Sequence, residues 1–282
     1  MTQPNYLDQI IYRDSRRMLE LPDDSVQLVV TSPPYFHIKD YSKDGRQHET
    51  VGKKQRGQIG DYKIYAKYIS EMLLVWKECV RVLAPNGKLV INVPLMPMLK
   101  RTLNTHYNRH IFDIHSDIQQ SILKNIRGAY LLDTYIWERT NPTKKLMFGS
   151  YPYPSNFYAQ NTVEFMGVYV KDGPPRKRSA EIREASKLTQ KDWVEFTSQI
   201  WRIPVPNKSD HAYGKHSAIM PEEIARRFIK LFSYADDLVL DPFAGSGTTL
   251  RVAKELGRRY IGYEISPHYK SIIDLKLQDC TP

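Results

Sequence analysis

Two kinds of apolar pattern alternate along the chain and predict strands that are followed by helices. Residues 26–30 form a β-branched run that stops at Pro33 and Pro34, which cannot donate to a strand ladder, so this run predicts a buried strand. Across residues 62–83 apolar side chains recur at steps of three and four, as one face of a long helix requires. After a Pro-Asn-Gly turn, residues 88–93 are predicted to form a second strand.

The same alternation continues in the C-terminal part of the chain. A helix is predicted after Pro221, a strand over residues 238–240, a second helix that Gly257 stops, and a strand over residues 259–264. A strand, a glycine turn, a helix and another strand form a βαβ unit, which implies parallel strands. We therefore expect an α/β fold with a mostly parallel twisted sheet and helices on both faces.

Composition adds a class of partner to this picture. The chain has 282 residues, of which 41% are hydrophobic, so it has the material for one large core. Lys and Arg number 41 and Asp and Glu number 31, which leaves a formal charge of +10. This balance favours a polyanionic partner such as nucleic acid, although an indifferent basic surface has the same composition.

The cysteine count and the hydropathy pattern exclude other classes. Cys79 and Cys280 are the only cysteines, so neither a disulfide framework nor a cysteine-rich zinc site is available, and no metal is expected. No segment approaches the roughly 18 consecutive apolar residues that a membrane helix needs, and the chain does not open with a leader pattern. We expect a cytoplasmic protein without a membrane partner.

The loop over residues 241–247 has the features of a site for a nucleotide-like ligand. Gly245 and Gly247 allow the backbone to come close to a ligand, and a helix begins beside them. Glu264, at the end of the next predicted strand, is placed to accept hydrogen bonds from a ribose diol. A phosphate-binding loop is disfavoured because no Gly-Lys-Ser/Thr follows the turn. A tight packing turn is the alternative interpretation.

The segment from Ser32 to Tyr35 suits chemistry on an exocyclic amino group. The lone pair of such an amino group is delocalised into the ring, so an enzyme must hold its N–H bonds with acceptors. The Ser32 side chain and the Pro33 carbonyl can supply two acceptors on a loop that prolines stiffen, and Tyr35 can lie against the face of a base. A proline turn between a strand and a loop is the alternative.

Together the two loops resemble those of the DNA amino-methyltransferases of restriction-modification systems. That family carries an Asp/Asn/Ser-Pro-Pro-Tyr/Phe/Trp catalytic loop and an Asp-Pro-Phe-x-Gly-Ser-Gly-Thr-Thr cofactor loop, and both patterns occur here. The similarity extends over most of the chain, including residues 13–15, 21–26, 76–87 and 136–142. Because the catalytic loop precedes the cofactor loop, the order resembles the permuted beta arrangement of the family. The resemblance implies a Rossmann-like S-adenosylmethionine-dependent methyltransferase fold in one catalytic domain over residues 1–282.

The resemblance also implies roles for individual residues. The methionine part of S-adenosylmethionine would be surrounded by Asp241, Phe243, Gly245, Ser246 and Gly247. Glu264 would hold the ribose and Asp14 the adenine end. The target-base site would consist of Ser32, Pro33, Pro34 and Tyr35. Arg13 and Asn86 stand where glycine is more usual in the family.

Serine at the first position of the catalytic loop is typical of the members that methylate N4 of cytosine. We therefore expect direct transfer of a methyl group from S-adenosylmethionine to that amino group in double-stranded DNA, with the base rotated out of the helix. Methylation of adenine N6 is the alternative. A methyltransferase acting on RNA and an inactive DNA-binding protein are disfavoured by the intact loops and by the overall resemblance. A separate cognate restriction endonuclease is a further expected partner.

Three segments are candidates for DNA recognition, namely residues 36–60, 95–120 and 171–200. Residues 36–60 are rich in cations, glycine and glutamine without apolar periodicity, which predicts a mobile basic loop. The predicted phosphate contacts are Lys53, Lys54, Arg56, Arg176, Lys177 and Arg178, although such runs are more often solvated surface.

Overall fold

A sheet of eight strands is the centre of the fold. The computed structural model describes residues 6–36, 57–99, 109–141, 153–155, 159–214 and 219–280. In chain order the strands are β1 (Gln9–Ile11), β2 (Val26–Thr31), β3 (Leu83–Pro94), β4 (Met96–Leu99), β5 (Arg109–Phe112), β6 (Ala129–Arg139), β7 (Val163–Lys171), β8 (Ile200–Ile203), β9 (Leu238–Asp241) and β10 (Arg259–Tyr263). The main sheet has the order β1-β10-β9-β2-β3-β7-β6-β8, and β4 pairs with β5 separately.

The directions of the strands agree with the sequence pattern. In the main sheet β7 runs antiparallel to its neighbours β3 and β6, and the other pairs of described strands are parallel. The prediction of a mostly parallel sheet is confirmed. Since β1, β2, β9 and β10 share one direction, the segments that follow them leave the sheet at one edge, where ligands of open α/β sheets bind. We call it the carboxyl edge, and the opposite one the amino edge.

Helices cover both faces of the sheet, as predicted. They are α1 (Tyr65–Val82), α2 (Ile114–Asn125), α3 (Ala180–Ala185), α4 (Gln190–Phe196), α5 (Glu222–Phe232), α6 (Thr248–Glu255) and α7 (Lys270–Gln278), with short 3-10 turns at Ile59–Asp61 and Pro267–Tyr269. Buried side chains of α1 and α2 pack on one face, and those of α5 and α6 pack on the other. None of the helices in the described part of the chain combines the length and the apolar character needed to cross a membrane.

The second predicted strand begins earlier than the sequence indicates. Strand β3 starts at Leu83, directly after α1, and its pairing with β2 shifts from Leu83 to Lys88. Asn86 takes a left-handed conformation with φ of 62° within the residues that this shift leaves out of register. The Pro-Asn-Gly segment is therefore an irregularity inside a long strand, because both of its flanks pair with β2.

Two of the candidate recognition segments contribute to the core. Phe36 is 3% exposed and packs edge-on against Tyr65, and Ile59 is 4% exposed. The expected mobile loop over residues 36–60 is therefore wrong at its two ends, while residues 37–56 lie outside the described residues. Within residues 95–120, Ile114 and Ile118 are buried on α2 because apolar side chains four residues apart share one face of a helix. That part of the segment belongs to the core.

Candidate active site

One open cleft at the carboxyl edge brings both sequence motifs together. Its wall includes the loop after β2, the loop after β9, the end of β10 and the segment after β1. The predicted residues that line it are Asp14, Ser32, Pro33, Pro34, Tyr35, Asp241, Phe243, Gly245, Ser246 and Glu264. The two motifs are separated by about two hundred residues in sequence, so their meeting depends on the pairing of β2 with β9.

Asp241 joins the first residues of the two loops. It is the last residue of β9, and its Oδ1 accepts hydrogen bonds from Thr31 Oγ1 at 2.7 Å and from the Phe243 N–H at 3.0 Å. Thr31 is the last residue of β2, so one carboxylate fixes the starts of both loops. Burial raises the pKa of Asp241 to about 6, and the hydrogen bond from Thr31 opposes this shift. Within the described part of the chain, polar groups and not a cation hold this carboxylate.

Glu264 is held on both sides by backbone groups. Its Oε2 accepts from the Gly245 N–H at 2.8 Å, and its Oε1 accepts from the Ser266 N–H at 2.8 Å. Burial raises the pKa of Glu264 to about 7, and the nearby charge of Asp241 raises it further. Each carboxylate oxygen has a second lone pair. Glu264 is therefore oriented and retains the capacity to accept hydrogen bonds from a diol.

The two glycines of the predicted cofactor loop differ in whether they line the cleft. Gly245 lines the cleft, whereas Gly247 is not part of its wall and instead precedes α6 with φ of 80°. A Cβ at Gly247 would lie 3.1 Å from Ile273 Cγ2, so this position needs glycine for its conformation and for its contact with α7. The structure thus assigns Gly247 to the turn, while the other predicted residues of the loop face the cleft.

A buried lysine contacts side chains of the predicted cofactor loop and of the helix that follows it. Lys276 is 1% exposed, and its Nζ donates to Thr248 Oγ1 at 3.1 Å and lies 2.9 Å from Asp210 Oδ1. Ser246 is also buried, with its Oγ at 3.5 Å from the same Nζ. Sequence reasoning missed Lys276, because a lysine in an amphipathic helix is usually solvated and its partners lie in distant segments.

The predicted target-base loop has its own hydrogen bonds. Ser32 Oγ donates to the Asn92 carbonyl at 3.2 Å and lies 2.9 Å from Tyr35 Oη, so Tyr35 is the donor in the second contact. The Pro34 carbonyl accepts from Tyr68 Oη at 3.1 Å. Tyr35 is 7% exposed and packs within the core that α1 shares. The loop is therefore fixed by α1 and β3 as well as by its prolines.

Asp14 lies in the cleft wall and is held by Arg16. The Arg16 N–H donates to Asp14 Oδ1 at 2.9 Å, and the Arg16 guanidinium pairs with both Asp14 and Glu71. Arg16 Nη1 also donates to Tyr62 Oη at 3.1 Å. Its pKa is raised, chiefly by the hydrogen bond with Asp14. Arg16 thus ties the segment after β1 to α1, a role that sequence reasoning missed.

Further parts of the wall come from positions outside the sequence motifs. Residues 57–59 form one side of the cleft, and Met220 and Tyr269 contribute others. Residues 57–59 were expected in a basic loop because no apolar period reaches them. Ile59 itself could have indicated a buried position, because it is a single apolar residue between charged segments. No group of three or more metal-ligating side chains occurs among the residues that the structure describes.

Among the predicted phosphate contacts, residues 176–178 are not at this edge. Arg176 donates to the carbonyl of Asp24, which lies two residues before β2, and Arg178 pairs with Asp237, the residue before β9, so both contacts are at the amino edge. Lys177 is exposed. The structure therefore does not bring residues 176–178 to the cleft, and their contact with phosphate stays a prediction. Lys53, Lys54 and Arg56 lie outside the described residues.

Comparison with known proteins shows the family to which this chain belongs. Residues 26–275 match the model of the N6/N4 methyltransferase family, described as DNA methylase. The type II methyltransferase M.MjaI of Methanocaldococcus jannaschii is 34% identical in an alignment of 282 positions, gaps included, which covers 95% of this chain and 90% of that protein. The type II methyltransferase M.MthZI of Methanothermobacter thermautotrophicus is 29% identical, with coverage of 96% and 76%. The crystal structure of TTHA0409 from Thermus thermophilus, complexed with S-adenosyl-L-methionine, has a TM-score of 0.74 at 32% identity, with coverage of 97% and 94%.

Proposed function

This chain belongs to the DNA methylase family that its residues 26–275 match, and we propose that it transfers the methyl group of S-adenosylmethionine to the N4 amino group of cytosine in double-stranded DNA. The observation that carries the proposal is the shared cleft, in which the Ser32 loop faces the loop over residues 241–246. A methyl donor and a base would meet there without a covalent enzyme intermediate. Cys79 is fully buried and its pKa is raised by burial, which agrees with a core role.

The chemistry of the cleft fits S-adenosylmethionine. When bound, this cofactor supplies a methyl group that is already activated by a positively charged sulfur. Asp241 and Glu264 provide negative charge in a water-poor wall, where attraction to a cation is stronger than in water. Glu264 accepts backbone hydrogen bonds that fix its carboxylate for a ribose diol, and Asp14 is fixed by Arg16 for the adenine end.

Ser32 supports transfer to an amino group. Its hydroxyl proton points to the Asn92 carbonyl, and one lone pair accepts from Tyr35. The remaining lone pair can accept an N–H of the target amino group and localise the nitrogen lone pair for attack on the methyl group. The new N–C bond would form as the methyl–sulfur bond breaks, and the methylated amino group would then release one proton to solvent. Tyr35 would contact the face of the base. A serine at this position favours cytosine N4, and adenine N6 is the second candidate, because the family includes both kinds of enzyme.

The DNA must present the base outside the stack, because an amino group in a duplex cannot reach the bottom of the cleft. The formal charge of +10 supports a polyanionic substrate. Lys53, Lys54 and Arg56 are proposed phosphate contacts on the basis of the sequence alone. We further propose that the enzyme is the modification partner of a separate restriction endonuclease.

A single assay tests the reaction and the base. The protein is incubated with genomic DNA from a methylation-deficient host and S-adenosylmethionine, and the DNA is then digested to nucleosides for mass spectrometry. N4-methylcytosine is the expected product, and sequencing of the treated DNA gives the recognition site. N6-methyladenine would replace the cytosine assignment, and a strong preference for RNA in a parallel reaction would overturn the assignment to DNA.

A further inference from the structure

Two buried polar side chains, which we call the polar row, lie next to the target-base loop on the face of the sheet that packs against α5. Asn92 on β3 is paired in register with Met166, and Glu164 on β7 is paired with Trp137. Met166 and Trp137 belong to the apolar core of that face. Asn92 is 2% exposed and Glu164 is 8% exposed. A carboxylate and an amide among apolar side chains are unfavourable unless they are hydrogen-bonded.

The two side chains are directly bonded to each other. Asn92 Nδ2 donates to Glu164 Oε2 at 2.7 Å. Arg139 Nη1 lies 3.8 Å from Glu164 Oε1. Asn92 Oδ1 is buried and has no hydrogen-bond partner among the described residues. Among those residues, Glu164 is therefore the hydrogen-bond partner that holds the Asn92 side-chain amide.

At one end, the polar row contacts the target-base loop. The backbone carbonyl of Asn92 accepts the hydrogen bond from Ser32 Oγ at 3.2 Å. A serine hydroxyl rotates freely unless an acceptor holds its proton. If the proton turned towards the cleft, it would meet the N–H of an amino group, and the acceptor would be lost. The position of the Asn92 carbonyl thus decides which side of Ser32 faces a base.

We propose that Glu164, acting through Asn92, is a positioning residue that fixes the Ser32 hydroxyl for acceptance of the target amino group. The carboxylate holds the Asn92 amide, the amide holds the end of β3, and the carbonyl at that end holds the Ser32 proton. This inference rests on the proposed function, since it assigns the row to the transfer step. The rival role is that of a structural counter-ion for Arg139, whose Nη2 also donates to the Asn161 carbonyl.

An exchange of the two polar groups separates these roles. Asn92→Asp would place two carboxylates within hydrogen-bonding distance, so that one must hold a proton or move away. We expect kcat to fall about tenfold at pH 8, on the scale of one misplaced hydrogen bond, while the Kd for S-adenosylmethionine stays unchanged. The loss should shrink as the pH is lowered, because protonation restores a donor between the two groups.

Glu164→Gln keeps an acceptor but allows the amide to turn, so a smaller loss of about threefold in kcat is expected. The double variant Asn92→Asp with Glu164→Gln restores one donor and one acceptor in the reverse direction. Its kcat should return to within about threefold of the wild type. A counter-ion for Arg139 predicts the opposite, because the double variant still lacks the charge at position 164.

Glu138→Gln is the matched control. Glu138 precedes Arg139 on β6, and its carboxylate accepts from exposed Arg202 Nε at 2.9 Å, away from the row. We expect it to leave kcat unchanged. Thermal denaturation of every variant separates positioning from misfolding. The proposal is overturned if single variants keep wild-type kcat, if their losses follow the melting temperature, or if the double variant does not recover. A wild-type protein that methylates no DNA would overturn the proposed function, and this inference with it.

Discussion

The two edges of the sheet both carry buried charged side chains but use them differently. At the carboxyl edge, Asp241 and Glu264 accept hydrogen bonds from hydroxyl and backbone N–H groups, so a positively charged ligand can pair with their ionised forms. At the amino edge, Arg178 pairs with Asp237, and Lys171 Nζ lies 2.7 Å from Asp24 Oδ1. These pairs tie the segment after β7 to the starts of β2 and β9.

Charge density by itself therefore does not mark a site in this fold. A carboxyl group whose partners are neutral dipoles can still ionise to pair with a cationic ligand, whereas a charged group paired with its opposite is largely neutralised. Topology decides which occurs, because parallel strands place loops with free backbone groups at their carboxyl ends. Substitutions of matched residues at the two ends of one strand can therefore test whether the two edges differ in function.

The largest expected effect concerns the two serines that flank β2. Ser32→Ala removes the proposed acceptor for the amino group, so we expect kcat to fall on the order of 10²-fold while the Kd for S-adenosylmethionine changes little. Ser25→Ala is the control, because Ser25 precedes the same strand at the amino edge and donates to the Pro22 carbonyl at 2.7 Å. Single-turnover rates and cofactor titration measure the two quantities. Equal losses of rate and cofactor affinity in Ser32→Ala would contradict the assigned role.

The two buried aspartates at the two ends of β9 give the next contrast. Asp241→Ala removes the carboxylate that joins both loops, so the Kd for S-adenosylmethionine should rise about 10- to 100-fold, the range for loss of a charged hydrogen bond. Asp237→Ala should lower the melting temperature and leave the Kd unchanged, since Asp237 lies at the amino edge. Isothermal titration calorimetry and thermal denaturation distinguish the two. Full cofactor affinity in Asp241→Ala would refute its place in the site.

Acidity should change cofactor binding through the carboxyl edge. The pKa of Glu264 is raised from 4.5 to about 7, so the free native protein holds a proton that an unfolded chain releases at lower pH. This group therefore favours the native state below about pH 4.5, and the contribution is lost as the pH rises through about 7. A positively charged ligand prefers the ionised form, so cofactor affinity should rise up to about tenfold per pH unit between pH 6 and 7.

Cofactor titration between pH 5.5 and 8.5 measures this dependence, and Glu264→Gln should flatten it. If Glu264→Gln retains the full slope, the titrating group is another one, with Asp241 as the first candidate because burial raises its pKa to about 6.

The smallest expected functional effect is at the amino edge itself. Arg178→Gln removes the paired cation of buried Asp237, although Arg176 and Arg258 remain near it. The cost should therefore be at the lower end for a broken buried pair, about 3 kcal/mol of unfolding free energy, with little change in the salt dependence of DNA binding. Lys177→Gln should leave stability unchanged and lower the salt slope by about one if the exposed Lys177 meets a phosphate. Fluorescence anisotropy at several salt concentrations provides the slopes. An unchanged slope in Lys177→Gln would remove residues 176–178 from the DNA interface.

Much of the fold could be predicted from sequence, because the relevant signals are local. The predicted strand at residues 26–30 agrees with β2, and the predicted helix after Pro221 agrees with α5. The glycine loop after Asp241 was correctly followed by a helix that ends before Gly257. Each of these depends on side-chain periodicity or turn chemistry within about fifteen residues. The start of β3 was less predictable, since pairing with β2 overrides the turn signal of Pro85-Asn86-Gly87.

The kind of fold, the two loops and the class of reaction follow from the amino-acid sequence alone, because periodic burial and short motifs are written in neighbouring residues. The partners of the charged groups depend instead on how the chain folds in three dimensions. Arg16 meets Glu71, Asn92 meets Glu164, and Arg178 meets Asp237 across 55 to 72 residues of chain. Hydrogen bonds and ion pairs act over a few ångströms, so no local pattern records which distant segment will supply the partner.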